Sequence, residues 1–232
     1  MHKTKQLFNL NSCLILYPIK KSTPLKSKFN DKQIQILEVA ERLFAEKGFD
    51  GTSIRDIAKE AKINIAMVSY YFGSKERLLE SLIFYRTSDL KNQLENLLQE
   101  DLEPIEKINK LIELYINRIN SNRGIYRILH FEFTAKKRDQ NLLAFSELKK
   151  GNLKSLEAII EEGQKKGVFR KDVIIPLITP TILGTFFHFH MNKPFFENLL
   201  NLKTEDLYNN YIKTNLTKHI QQTIKALLIY ES

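Results

Sequence analysis

Cysteine is almost absent from this sequence: Cys13 is the only one. One cysteine cannot close an internal disulfide or build a Cys-rich metal motif, which fits a reducing, cytoplasmic setting. Tryptophan is missing, and glycine and proline are scarce, at eight and six residues. So few breakers favour long helices over many short strands. No apolar run approaches the roughly 18 residues that suggest a membrane span. There is no Gly-rich phosphate loop, no metal-ligand cluster and no recognisable nucleophile–base motif, so an enzyme is the disfavoured class. His188 and His190 stand two apart, and on a helix such residues point to different faces, which makes a poor chelate. No metal or cofactor is expected.

What is present is positive charge, unevenly spread. The net charge is +9. Residues 1–30 hold six lysines and no acid, whereas residues 31–80 hold eight basic and nine acidic side chains. The excess suits a polyanionic partner. It does not by itself assign one to residues 31–80, where individual placement has to carry the argument. Residues 1–28 read as a basic, disordered arm, or as sequence upstream of the true translation start. A signal peptide is disfavoured, because the apolar stretch at Leu14–Ile19 is short and interrupted and is followed by Lys20-Lys21. An arm of this kind adds non-specific attraction for phosphate.

From Asp31 the apolar spacing becomes helical. Ile34, Leu37, Ala40, Leu43 and Phe44 build one face, and Gly48 is a plausible stop. Thr52 or Ser53 caps a short second helix, with Asp56 three residues after Ser53 as in a capping box. Ile54, Ile57, Ala58 and Ala61 form its inner side. Lys62-Ile63-Asn64 makes a turn, and Asn64 caps a third helix running to about Tyr71. Ser74 then caps a long fourth helix with Leu78, Leu82, Tyr85, Leu90, Leu94 and Leu97 at helical spacing. Helices are expected from Pro104, over 125–133, over 141–166 with Gly163 weakening its end and Gly167 closing it, within 173–191, and over 204–229. The fold class is all-α: a three-helix head at 29–77 joined to a larger helical body at 78–232.

Helix, short helix, three-residue turn, short helix is the order of a helix-turn-helix, in which the last helix enters the major groove. At these residues the sequence resembles the TetR family of bacterial transcriptional regulators. The resemblance is carried by Ile36 through Ala58, including Phe44-Ala45-Glu46-Lys47-Gly48-Phe49, and by Val68-Ser69-Tyr70-Tyr71-Phe72-Gly73-Ser74-Lys75-Glu76. It implies a sequence-specific DNA-binding regulator, by family default a repressor. Asn64, Ile65, Ala66, Ser69 and Tyr70 fall where such proteins approach base edges, and Thr52, Met67, Tyr71 and Lys75 fall at phosphate-contact positions. Hydroxyls and a lysine in the first turn of a helix suit phosphate, and apolar tips suit a thymine methyl. The alternative for Tyr70 and Tyr71 is support at the edge of the head core. Three residues depart from the family pattern. Lys62 stands where glycine is usual, Tyr71 replaces a common histidine, and Met67 replaces a small or polar residue.

The resemblance further implies a homodimer, through 173–192 and 204–229, on a near-palindromic double-stranded operator. It also implies an unknown small apolar effector in the body, acting by tilting the fourth helix and changing the spacing of the two heads. Tyr85, Tyr115, Phe131, Phe133, Phe186 and Phe187 are candidate pocket residues, with ordinary core packing as the alternative for each. A helical interaction or ligand-sensing protein that has lost DNA binding is the second reading.

Overall fold

The computed structural model describes residues 29–135 and 139–229, without the side chains of 130–145, 147 and 148. The basic arm and Cys13 therefore lie outside the described residues, as do the side chains of Phe131 and Phe133. The described elements are helical. They are α1 (Asp31–Lys47), α2 (Ile54–Glu60), α3 (Ile65–Phe72), α4 (Lys75–Gln99), α5 (Pro104–Ser121), α6 (Arg123–Ala135) and α7 (Asp139–Lys165), followed by α8 (Ile178–Met191), α9 (Lys193–Leu199), α10 (Glu205–Tyr211) and α11 (Thr217–Leu228). A short 3-10 turn, Ile175–Leu177, precedes α8, and Ile212–Leu216 is a π-helical turn.

The caps expected in the head form. Asn30 and Gln33 exchange side-chain and backbone hydrogen bonds at the start of α1, at 2.9 and 3.0 Å. Ser53 and Asp56 do the same at α2, at 2.9 and 3.1 Å. The Ser53 hydroxyl and backbone N–H hold the Asp56 carboxyl below its ordinary pKa. Each such box satisfies N–H groups that a helix start leaves unpaired. Lys62 has a φ of 53°, so a non-glycine residue occupies the left-handed turn between α2 and α3.

Two apolar cores result, and α4 supplies both. Leu78, Leu79, Leu82 and Ile83 pack with Ile36, Leu37, Phe44, Ile57, Val68 and Phe72 in the head. Leu90, Leu94 and Leu97 pack with α5, α7, α8 and α11 in the body. At 1.5 Å per residue the 25 residues of α4 span about 37 Å, enough to serve two centres. The head core does not end with α4. Ile125, Ile128 and Leu129 of α6 are buried in it, so the head is completed by a helix from the region expected to be body.

In the body, the glycine at 163 has a packing reason: a Cβ there would stand 2.1 Å from the Phe169 ring, so glycine lets the buried ring close over the end of α7. One sequence expectation needs correction. Residues 204–229 are not one regular helix, since the π-turn inserts between α10 and α11. That turn buries Ile212 and Leu216, and the Thr217 hydroxyl donates to the Ile212 carbonyl at 2.8 Å.

Candidate nucleic-acid interface and cavities

Helix α3 divides cleanly by side. Val68 and Phe72, one turn apart, are buried in the head core. Ile65, Ala66, Ser69 and Tyr70 are exposed, and Met67 and Tyr71 sit at the flanks. Tyr70 is 84% exposed, with its ring edge-on to Tyr71 at 5.3 Å. Asn64 Oδ1 accepts from the Ala66 N–H at 2.9 Å and caps the helix, which leaves the carboxamide NH2 outward at its start.

Two residues assigned to phosphate by resemblance are turned inward instead. Thr52 is 1% exposed, and its hydroxyl donates to the Gly48 carbonyl at 2.9 Å and the Leu43 carbonyl at 3.2 Å. It therefore closes the end of α1, and its side chain is withdrawn from any phosphate. The Lys75 ammonium donates to the Phe49 and Thr52 carbonyls at 2.9 Å each and lies 4.3 Å from the centre of the Phe49 ring. It clamps the α1–α2 loop onto the start of α4. Exposed cations near α3 are Arg55 and Lys59 on α2 and Lys62 in the turn.

Two cavities of the body share one wall. The smaller, about 270 Å³, lies among α4, α5, α7 and α8 and is lined by Thr87, Tyr115, Asn152, Thr179 and Leu183, among others. Burial, reinforced by neighbouring Tyr126 and only partly offset by a hydrogen bond with Thr179, pushes the Tyr115 phenol up to about 12. It stays protonated and able to donate. Among the described residues Asn152 Oδ1 is buried without a hydrogen-bond partner, an atom that a water or ligand would satisfy. The larger cavity, about 600 Å³, is lined by Ala45 of α1, Arg123, Gly124, Tyr126 and Arg127 of α6, and Phe186, Phe187, His190 and Met191 of α8. Tyr126 lines both cavities and packs against both cores.

Of the pocket residues expected from sequence, Tyr115 lines the smaller cavity and Phe186 and Phe187 the larger. Tyr85 lines neither. It packs against the head core, edge-on to Phe29 at 5.9 Å. Tyr126 was missed, although an aromatic one residue after the buried Ile125 was there to be read. His188 is exposed, while His190 Nδ1 lies 3.3 Å from the Tyr208 hydroxyl. The two face different ways, and among the described residues no group of side chains could hold a metal.

The model of bacterial regulatory proteins of the tetR family matches residues 36–82. A tetracyclin repressor-like C-terminal domain matches residues 104–224. The chain belongs to the TetR family. The HTH-type transcriptional repressor NicS of Pseudomonas putida is 32% identical to it over 168 residues, covering 68% of this chain and 75% of NicS. Among solved TetR-like structures, the ketosteroid regulator KstR2 of Mycobacterium tuberculosis superposes with a TM-score of 0.66 at 18% identity, covering 88% of this chain and 97% of that one. FadR of Bacillus subtilis, solved with stearoyl-CoA, gives 0.66 at 20% identity over 83% and 97%. The TetR assignment makes this chain a DNA-binding transcription regulator and not an enzyme. No described helix is long and apolar enough to cross a membrane.

Proposed function

We infer that the protein is an effector-responsive repressor that binds a near-palindromic operator as a homodimer in the cytoplasm. The observation that carries the reading is the outward side of α3. Ile65, Ala66, Ser69 and Tyr70 form its face toward the major groove, with Asn64 at the leading end and Met67 and Tyr71 on the flanks. Hydroxyls and a carboxamide reach base edges or phosphates, and the apolar tips suit thymine methyls. With Thr52 and the Lys75 ammonium engaged inside the head, the phosphate charge falls to Arg55, Lys59 and Lys62, assisted by the backbone N–H groups at the start of α4.

Dimerisation through α8–α11 is supported by the apolar surface left open there. Leu177, Met191, Phe195, Leu199, Leu207 and Leu227 are all exposed. An open groove of about 570 Å³ runs between α8, α9 and α11, floored by Gly184, Thr185, Phe189 and Phe196. Apolar side chains left exposed in such number beside an open groove suit an interaction surface. A two-fold dimer sets its heads about one helical turn (~34 Å) apart, which matches a near-palindrome. A repressor role is supported by the relatives NicS and KstR2, both named repressors, and an apolar effector by the body cavities and by the regulator FadR, solved with stearoyl-CoA.

Selection of bound duplexes from a random DNA pool tests the reading. It should recover a near-palindrome, and Tyr70→Ala should weaken binding to it by about 1–3 kcal/mol without altering the fold. A well-folded dimer that enriches no motif at low salt would instead favour an interaction protein without DNA binding.

A further inference from the structure

We propose that Arg77, at the junction of α3 and α4, is a phosphate contact of the DNA complex, and that it carries there the charge that Lys75 directs inside the head. The proposal rests on DNA binding by the outward side of α3 and adds a contact that the family resemblance does not assign.

The geometry begins with the direction of side chains on a helix, which lean toward its N-terminus. A residue in the first turn therefore projects over the chain that precedes the helix. Lys75 and Arg77 both stand in the first turn of α4, and they go to different places. The Lys75 ammonium is held by the Phe49 and Thr52 carbonyls and the Phe49 ring, all on the α1–α2 loop. Arg77 instead runs back over Gly73, since a Cβ on that glycine would stand 3.7 Å from both Cδ and Nη1 of Arg77. Gly73 is the C-cap of α3. The guanidinium thus lies beside the end of the reading helix, next to the turn that bears Tyr70 and Tyr71. Its base is fixed there. The Gly73 N–H donates to the Ser69 carbonyl at 2.8 Å, the Ser74 N–H to the Phe72 carbonyl at 2.9 Å, and the Arg77 N–H to Ser74 Oγ at 3.2 Å.

Charge separates Arg77 from an arginine with structural work. Arg42, also exposed in the head, pairs with Glu46 and Glu60. Arg77 is exposed, and among the described residues its guanidinium has no hydrogen bond or ion pair. Glu80, one turn further along α4, is exposed and does not pair with it. A cation in the first turn also opposes the helix dipole, so Arg77 gives α4 no support. A phosphate at the end of α3 supplies the missing partner, because a guanidinium offers it two parallel N–H groups. Lys75 could reach the same phosphate only by leaving two carbonyls and a ring. The position also completes a pattern. Arg55, Lys59 and Lys62 lie on α2 and the turn before α3, whereas Arg77 lies past its other end. Phosphate contacts at both ends of a groove helix fix its register on the duplex.

Fluorescence anisotropy of the full chain with the selected duplex and with one of unrelated sequence, over a salt series, tests the assignment. Arg77→Gln should weaken binding to both by about tenfold and leave their ratio unchanged. The slope of log affinity against log salt should flatten by about 0.9 for each chain bound. Arg77→Lys, which keeps the charge without the fork, should restore the slope and part of the affinity. Lys91→Gln removes the same charge from an exposed site about 21 Å further along α4, and should leave slope and affinity near wild type. Lys75→Met should unfold at lower urea and, while folded, bind with the wild-type slope. An undiminished slope in Arg77→Gln, an equal flattening in Lys91→Gln, or a slope lost in folded Lys75→Met but kept in Arg77→Gln overturns the assignment. A loss confined to the selected duplex makes Arg77 a base contact and overturns it too. A wild type that selects no motif but binds DNA leaves the slopes to decide on the unrelated duplex. A wild type that binds neither duplex at low salt overturns the DNA-binding reading itself, and this contact with it.

Discussion

The head and the body keep their working surfaces in opposite places. The head closes its interior around Ile36, Leu37, Phe44 and Ile57 and leaves a tyrosine standing outside on α3. The body holds cavities, two of which share Tyr126 as a wall, and leaves apolar side chains exposed along α8–α11. A surface that reads DNA has to be outside and rigid, and a site that senses an apolar molecule has to be inside and able to yield. The two regions are joined by α4, which feeds both cores, and by α6, whose first turns complete the head core while lining the body's larger cavity. Stability of the head is therefore tied to a helix that faces the larger cavity.

The strongest way to break this comparison is to remove the part of the head core that α6 supplies. Ile125→Ala should cost about 2–5 kcal/mol, and hydrogen exchange should show α1 amides losing protection first. Leu156→Ala, equally buried in the body core, should cost a similar amount while protection fails first in α5 and α7. If the two variants gave the same exchange pattern, the head and body cores would not be distinct centres. Next in size is Gly163→Ala. The added methyl meets the buried Phe169 ring and should cost about 1–3 kcal/mol in a urea titration. Lys62→Gly should go the other way. Relief of the left-handed turn, less the entropy of an added glycine, should raise stability by about 1 kcal/mol.

The smallest expected effect is a pH dependence at His190. Its folded pKa lies below the ordinary value of about 6.5. As pH falls past that value the unfolded chain takes up the proton first, so stability is lost from about 6.5 down toward the lower folded pKa. His190→Gln should lose less stability than wild type between about pH 7.5 and 5.5, by urea unfolding at each pH.

Much of the head was legible because its signals are local. Ser53 with Asp56, Asn64 and Gly48 mark helix ends by their own chemistry, and the spacing of Leu37, Ala40 and Phe44 tells which side of α1 is buried. Neighbouring residues of similar chemistry were harder to sort. Thr52 and Ser53 both suit a cap, and only burial shows that Thr52 closes the preceding helix instead. Lys75 read as an outward cation because nothing in the sequence places the Phe49 and Thr52 carbonyls beside it. The body was legible only as helices. Gly163 looked like a weak point because its value depends on Phe169 folding back over it, and the π-turn at 212–216 leaves no trace in the apolar spacing. Glu41, buried and paired with Arg86 of α4 at 2.7 Å, did leave a signal. It stands four residues from Leu37 and three from Phe44, on the apolar stripe of α1, just as Arg86 stands between Leu82 and Leu90 on α4. A charge of each sign on two such stripes points to a buried pair.

The central claim, that the outward side of α3 reads a DNA sequence, is met most directly by equilibrium binding to the selected duplex and to a scrambled one across a salt series. The account predicts binding to the selected duplex at least about 10³-fold tighter at physiological salt, with both affinities falling steeply as salt rises. Equal affinity for the two duplexes at every salt concentration would contradict it.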